Sequence, residues 1–187
     1  MAPAFRLEEL QTLRATQKQP KKAGVLALFY PDPRQTANLL LILRRTYRGV
    51  HSNQMAFPGG KAEKGDFDLM ATALRETWEE VGVPQENIEV VRALSEVYIP
   101  PSNFDVQPFI GISAKPLNFV LQQREVEAIV EVRLTDFMDD ANIVTQQLST
   151  SYAENVDVPA FKLNGQIVWG ATAMMLSEIR ELLKQVL

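Results

Sequence analysis

The chain has 187 residues, with 19 Lys and Arg against 23 Asp and Glu, a single His and no Cys. That length and a hydrophobic share of 46% suit one domain with a real core, while a net charge of −4 excludes a general nucleic-acid binder, whose phosphate contacts need a basic surface. Without cysteine there are no disulfides, thiolate nucleophiles or Cys–zinc sites, and one His cannot build an imidazole metal site, so the remaining chemistry is carboxylates, Arg and Lys, hydroxyls and a hard, oxygen-seeking cation.

Ala4–Thr16 reads as a short amphipathic helix, with Leu7, Leu10 and Leu13 at three-residue steps. Gln17–Ala23 reads as a polar linker whose Lys18, Lys21 and Lys22 are solvated charges or phosphate contacts. Residues 1–23 are thus expected as an N-terminal helix and linker within a single domain spanning 1–187. Gly24–Tyr30 and Asn38–Arg44 are strand candidates separated by the Pro31-Asp32-Pro33 turn signal, followed by a loop from Arg45 to Gly60. A helix is expected from about Asp68 to Val81, stopped by Gly82 and Pro84. Further strands are expected at Ile88–Ile99, Val106–Ile112 and Val126–Leu134. Asn164-Gly165 turns a hairpin between Phe161–Leu163 and Gln166–Trp169. Residues 171–187 form a last amphipathic helix, whose Met174, Met175, Leu176, Ile179, Leu182 and Leu183 read as core or as a dimer seam, leaving a homodimer open. The apolar runs are far too short to cross a membrane and no export signal opens the chain, so no membrane partner and a cytoplasmic location are expected.

The chemistry concentrates on the helix that ends at Val81. At about 100° per residue, Glu76, Glu79 and Glu80 share an arc of roughly 100°. Met70, Leu74, Thr77 and Val81 fall opposite as the expected buried side, with Trp78 packing at its margin. Asp66 or Asp68 can cap the N-terminus. Three carboxylates at these spacings repel one another and are either a solvated acidic face or a site for Mg²⁺ or Mn²⁺. Phe57-Pro58-Gly59-Gly60 precedes them, and glycines there let backbone groups approach a metal or a phosphate.

The whole string from Gly59 to Val83, GGKAEKGDFDLMATALRETWEEVGV, closely resembles the Nudix box, the signature of hydrolases that cleave nucleoside diphosphates linked to another moiety. Gly60, Arg75-Glu76, Glu79-Glu80 and Gly82-Val83 match the pattern. The stretch from Gly60 to Arg75 is one residue longer than usual, Thr77 replaces an aliphatic residue, and Asp66 or Asp68 stands in for the first acidic residue. The resemblance implies an α/β Nudix fold, a mixed β-sheet sandwiched between helices, and a Mg²⁺- or Mn²⁺-dependent pyrophosphohydrolase acting on a small nucleotide-type substrate. By the same resemblance Glu76, Glu79, Glu80 and the Gly60 carbonyl are metal ligands, and Arg75 steadies a neighbouring Glu. The general base is a box Glu or a later carboxylate, Glu125 or Glu127, with Glu125 favoured; alternatively those two are only an exposed strand edge.

Leu40–Lys61 is similar to the extra motif of coenzyme A diphosphatases, through Leu40-Leu41, Arg44 and Phe57–Gly60. Arg48 is the counterpart of that motif's second Arg, displaced by one, and Asn53 sits where Gly is usual. Arg44, Arg45 and Arg48 suit the additional phosphate of CoA, since guanidinium forks match phosphate oxygens; alternatively they are a strand end and solvated loop charges. His51 and Gln54 read as loop-fixing residues, and Tyr98 with Phe104 as core or as the frame of a pocket. Nucleotide sugars, dinucleotides and nucleoside triphosphates are the alternative substrates, and a nucleotide-binding module without hydrolysis is the non-enzymatic alternative.

Overall fold

The computed structural model describes residues 19–45, 54–148 and 156–187; the expected N-terminal helix, Arg48, His51 and Asn53 lie outside them. Strand β1 (Lys21–Pro31) alternates between two apolar cores, Leu26, Leu28 and Tyr30 facing one and Ala23, Ala27 and Phe29 the other. Strand β2 (Ala37–Arg44) does the same with Leu40 and Ile42 against Leu39 and Leu41. A sheet buried on both faces must be covered on both. Helix α1 (Leu69–Val81) supplies Ala73 and Val81 to the first core, and the C-terminal helix supplies Ala173, Met175, Leu176 and Ile179 to the second. This is the α/β/α sandwich expected from the sequence.

After β3 (Met55–Ala56) and β4 (Gly59–Lys61), α1 leads to β5 (Glu89–Ala93), β6 (Val97–Ile99), β7 (Phe104–Ile112) and β8 (Val126–Arg133). β1 runs parallel to β7 from Lys21↔Phe104 to Phe29↔Ile112. Its other edge is shared, β4 pairing with Ala23–Val25 and β2 with Phe29–Pro31. That division lays Gly59 and Gly60 alongside α1. A short helix α2 (Leu134–Met138) and a second sheet follow, of β9 (Ile143–Leu148), β10 (Val156–Leu163) and β11 (Gln166–Val168), before helix α3 (Gly170–Leu183).

Several boundaries differ from the sequence reading. The linker ends earlier, because Lys21 and Lys22 already pair with β7, and Lys22 Nζ is held by Glu96 and Asp105 at 2.9 and 3.0 Å. The loop expected up to Gly60 contains β3 and β4, too short to show a periodicity of their own. The single strand expected over Ile88–Ile99 is two, and β9 adds a strand beyond those expected. The apolar face of α3 is spent on the core. Among the described residues no helix is long and apolar enough to cross a membrane.

Candidate metal and substrate site

Asp68 opens α1 as its N-cap, accepting the Ala71 N–H at 2.7 Å. The three carboxylates do share a face, but unequally: the Glu80 side chain is 2% exposed, Glu76 14% and Glu79 47%. The buried side of α1 agrees with the expected one at Thr77 and Val81, with Leu74 packed against the core, and departs from it elsewhere. Thr72, Ala73, Thr77, Glu80 and Val81 are buried, whereas Met70 and Trp78 are 38% and 58% exposed, so Trp78 is not a packing residue here. The reason is β4, which lies against the carboxylate side of the helix and covers it. Thr77 tolerates burial by donating its hydroxyl to the Ala73 carbonyl at 2.7 Å.

A buried carboxylate must be compensated. Glu80 Oε2 accepts the Gly59 N–H at 2.9 Å, and Oε1 lies 3.5 Å from Arg44 Nη1 with no hydrogen-bond partner among the described residues. Burial pushes the Glu80 carboxyl up to about 7; Arg44 and the Gly59 N–H oppose that rise, and the charges of Glu76 and Glu125 add to it. Burial also raises Glu76, against the pull of Arg75. Arg75 holds the cluster together: Nη1 reaches Glu76 at 2.9 Å and Glu79 at 3.2 Å, Nη2 donates to the Lys61 carbonyl at 3.2 Å, and Nε and Nη2 fork onto Asp66 at 2.8 and 3.0 Å. The Arg75 guanidinium keeps Asp66 well below the usual carboxylate range, helped by the Glu63 N–H and the Thr72 hydroxyl against the effect of burial. Asp66 is therefore the acidic partner of Arg75, while Asp68 is the cap.

Gly60 packs its bare α-carbon against Glu76. A β-carbon there would come within 2.5 Å of Glu76 Cδ, and 2.6 and 2.7 Å of its two oxygens. Among the described residues no three His, Asp or Glu side chains group tightly enough to hold an ion by themselves. The donor set still fits a hard divalent cation: carboxylate oxygens on one helix face, a glycine backbone pressed against one of them, and a buried Glu80 oxygen without a hydrogen bond.

Arg44 does not extend into the loop. Its Nη1 lies 3.5 Å from both Glu80 Oε1 and the Gly59 carbonyl, and its buried Nε has no hydrogen-bond partner among the described residues. Arg45 turns the other way: its Nη1 donates to the Gln123 carbonyl, its Nε stands 3.7 Å from Glu127 Oε2, and its backbone N–H donates to the Glu125 carbonyl at 2.8 Å. Glu125 carries the exposed charge felt at Glu76 and Glu80, and Glu127 is a solvent-facing partner of Arg45. A cleft of about 510 Å³ opens between Arg45, Val120, Leu121, Gln123, Val126 and Glu127. Tyr98 is buried, its hydroxyl donating to Asn103 Oδ1 at 3.1 Å, and Phe104 packs against the core.

One site contact lies outside the sequence reading, and one candidate pair is resolved by the structure. The Gly59 N–H that donates to Glu80 carries no side-chain signal. Asp66, one of the two candidates for the first acidic residue, stands six residues after Gly60, with the five intervening residues of the box pattern, so the extra residue falls between Asp66 and Arg75.

A family model described as NUDIX domain matches residues 20–147. The chain is 33% identical over 182 residues to a protein of Pectobacterium atrosepticum named "Uncharacterized Nudix hydrolase NudL", covering 94% of this chain and 88% of that protein. The protein of the same name from Yersinia pestis is 31% identical over 175 residues, covering 89% and 80%. Among solved structures, the Nudix hydrolase RenU from M. smegmatis superposes with a TM-score of 0.60 at 20% identity, covering 90% of this chain and 88% of that one. The NUDIX domain of Shewanella oneidensis NrtR, complexed with ADP ribose, gives 0.54 at 18% identity, covering 98% and 99%. At those identities the two structures bear on the fold alone.

Proposed function

The chain belongs to the Nudix family of hydrolases acting on pyrophosphate bonds, and from that premise we propose that its substrate is coenzyme A or a CoA thioester. One water is consumed, and the products are phosphopantetheine, acylated if the substrate was, and adenosine 3′,5′-bisphosphate. The chemistry rests on one observation, the Gly60 backbone seated against the Glu76 carboxylate beside the buried, half-satisfied Glu80. The choice of CoA is supported by the similarity of Leu40–Lys61 to the coenzyme A diphosphatase motif.

Glu76, Glu79, Glu80 and the Gly60 carbonyl would hold Mg²⁺ or Mn²⁺. Such an ion neutralises the pyrophosphate charge, orients the linkage and lowers the barrier to attack. Arg75 keeps Glu76 and Glu79 in place and Asp66 keeps Arg75 in place. The Glu125 carboxylate accepts the proton of the attacking water. The additional phosphate of CoA is assigned to Arg48, the counterpart of the motif's second Arg, since Arg44 Nη1 and Arg45 Nη1 contact carbonyls within the protein.

The test is hydrolysis by the purified protein with Mg²⁺ or Mn²⁺ and products identified by mass spectrometry. CoA, an acyl-CoA, ADP-ribose, a nucleotide sugar, a dinucleoside polyphosphate and deoxynucleoside triphosphates are compared side by side. Phosphopantetheine and adenosine 3′,5′-bisphosphate formed well above other products are expected. Cleavage of another substrate with CoA untouched refutes the assignment while keeping the family chemistry.

A further inference from the structure

Residues Val120–Glu125 carry the carboxylate assigned as base; Leu121 packs against the core, and the Glu125 and Val126 N–H groups close a turn on the Gln122 carbonyl at 3.0 and 2.9 Å. Val120 N–H donates to the Val81 carbonyl and Gln122 N–H to the Glu80 carbonyl, both at 2.9 Å, which ties the start of the segment to the end of α1. At its far end Arg45 N–H donates to the Glu125 carbonyl at 2.8 Å, as β2 hands over to the loop beyond it. Between these anchors the cleft of about 510 Å³ opens beside Gln123. Arg45 reaches across that opening: its guanidinium donates to the Gln123 carbonyl and stands 3.7 Å from Glu127, which flanks Glu125 in the chain.

From this geometry we infer that Arg45 is a positioning residue for Glu125, a strut that sets the height of the Gln122–Glu125 turn above the cleft, and not a ligand of a substrate phosphate. The inference rests on the reading of Glu125 as the proton acceptor. The guanidinium suits the task because one arm fixes a backbone carbonyl while another faces a carboxylate. The side chain is half exposed, so its contacts are screened and the effect is moderate. Loss of one charge-assisted hydrogen bond in that setting corresponds to about a tenfold effect.

The experiment uses full-length Arg45→Ala, Arg45→Lys and Glu125→Gln variants and the Arg45→Ala/Glu125→Gln double variant. With the substrate the wild type cleaves, Arg45→Ala is expected to lower kcat about tenfold with KM unchanged, and Arg45→Lys to recover most of it by restoring a donor to Gln123. In the double variant, Arg45→Ala is expected to add nothing to the loss caused by Glu125→Gln, a coupling that a general structural role would not produce. Hydrogen exchange gives a readout free of turnover: amides of Val120–Glu125 exchange about tenfold faster in Arg45→Ala, while those of α1 and β1 do not change. A raised KM, a multiplicative double variant or unchanged loop exchange overturns the inference. A wild type that cleaves no pyrophosphate instead overturns the functional reading, and the exchange measurement still decides whether Arg45 holds the loop.

Discussion

Gly60 lies too close to Glu76 to leave room for a β-carbon, and replacing Gly60 by Ala tests that approach directly. The added β-carbon would come within 2.5 Å of Glu76 Cδ, against about 3.4 Å for ordinary contact, so the carboxylate must retreat by about 0.9 Å. Glu76 can do so, because the clash is with the end of a flexible side chain, and Gly60 has no positive φ. The fold should therefore lose no more than about 1 kcal/mol. Misplacing a group at the reacting centre by about 1 Å costs about a hundredfold in rate. Gly59→Ala is the contrasting case: φ is 151°, and the β-carbon would lie 2.4 Å from the Gly24 carbonyl oxygen and 2.6 Å from Val25 Cα, both backbone atoms that cannot step aside. That variant should lose about 2–4 kcal/mol of stability from strain and overpacking, a fall in Tm of roughly 5–15 °C. The assay pairs thermal melts with kcat for pyrophosphate hydrolysis across a Mn²⁺ titration. A Gly60→Ala enzyme with wild-type kcat and metal dependence refutes the placement of Glu76 at the reacting centre. Melts that fail to separate the two variants refute the packing argument.

Glu79→Gln and Glu80→Gln should each lower turnover by orders of magnitude while the circular dichroism spectrum is retained; near wild-type rates with an unchanged melt would remove the carboxylate face from the mechanism. Asp66, whose carboxyl is held low by Arg75, stabilises the fold above its unfolded pKa of about 3.9, and that contribution is lost as pH falls below it. Urea unfolding from pH 6 to pH 2 should therefore show a shallower loss of stability in Asp66→Asn than in the wild type, and parallel curves would show that the ion pair contributes nothing. Glu80 has the opposite sign: its folded pKa is raised to about 7, so metal-free protein gives up stability as pH climbs from the unfolded value of about 4.3 through 7. Mg²⁺ removes that penalty by pairing with the ionised carboxylate, so its increment in Tm should be larger at pH 8 than at pH 6 and vanish with chelator; an equal increment at both would place the ion away from Glu80.

The parts of this protein that were legible in the sequence are those governed by neighbours along the chain. Glu76, Glu79 and Glu80 share a face because 3.6 residues make a turn, and the alternation of Ala23–Tyr30 and Leu39–Ile42 is written into residues two apart. The Asn164-Gly165 turn follows from local backbone preference in the same way.

Contacts between distant segments decided the rest. A helical wheel orders the sides of α1 but does not say which side another element will cover. Because β4 lies against the carboxylates, Glu80 is the buried one and Trp78 is exposed. Asp66 and Asp68 are both candidates for the cap and for the acidic position; the position of the Arg75 guanidinium makes Asp66 its ion-pair partner and leaves Asp68 as the cap. Arg44 and Arg45 are adjacent in sequence, yet β2 ends between two surfaces, so one side chain meets Glu80 and the other the Gln123 carbonyl. Local periodicity determines which groups lie side by side on an element. What each group then faces, and how far burial and neighbouring charge move its pKa, depends on elements far away in the chain.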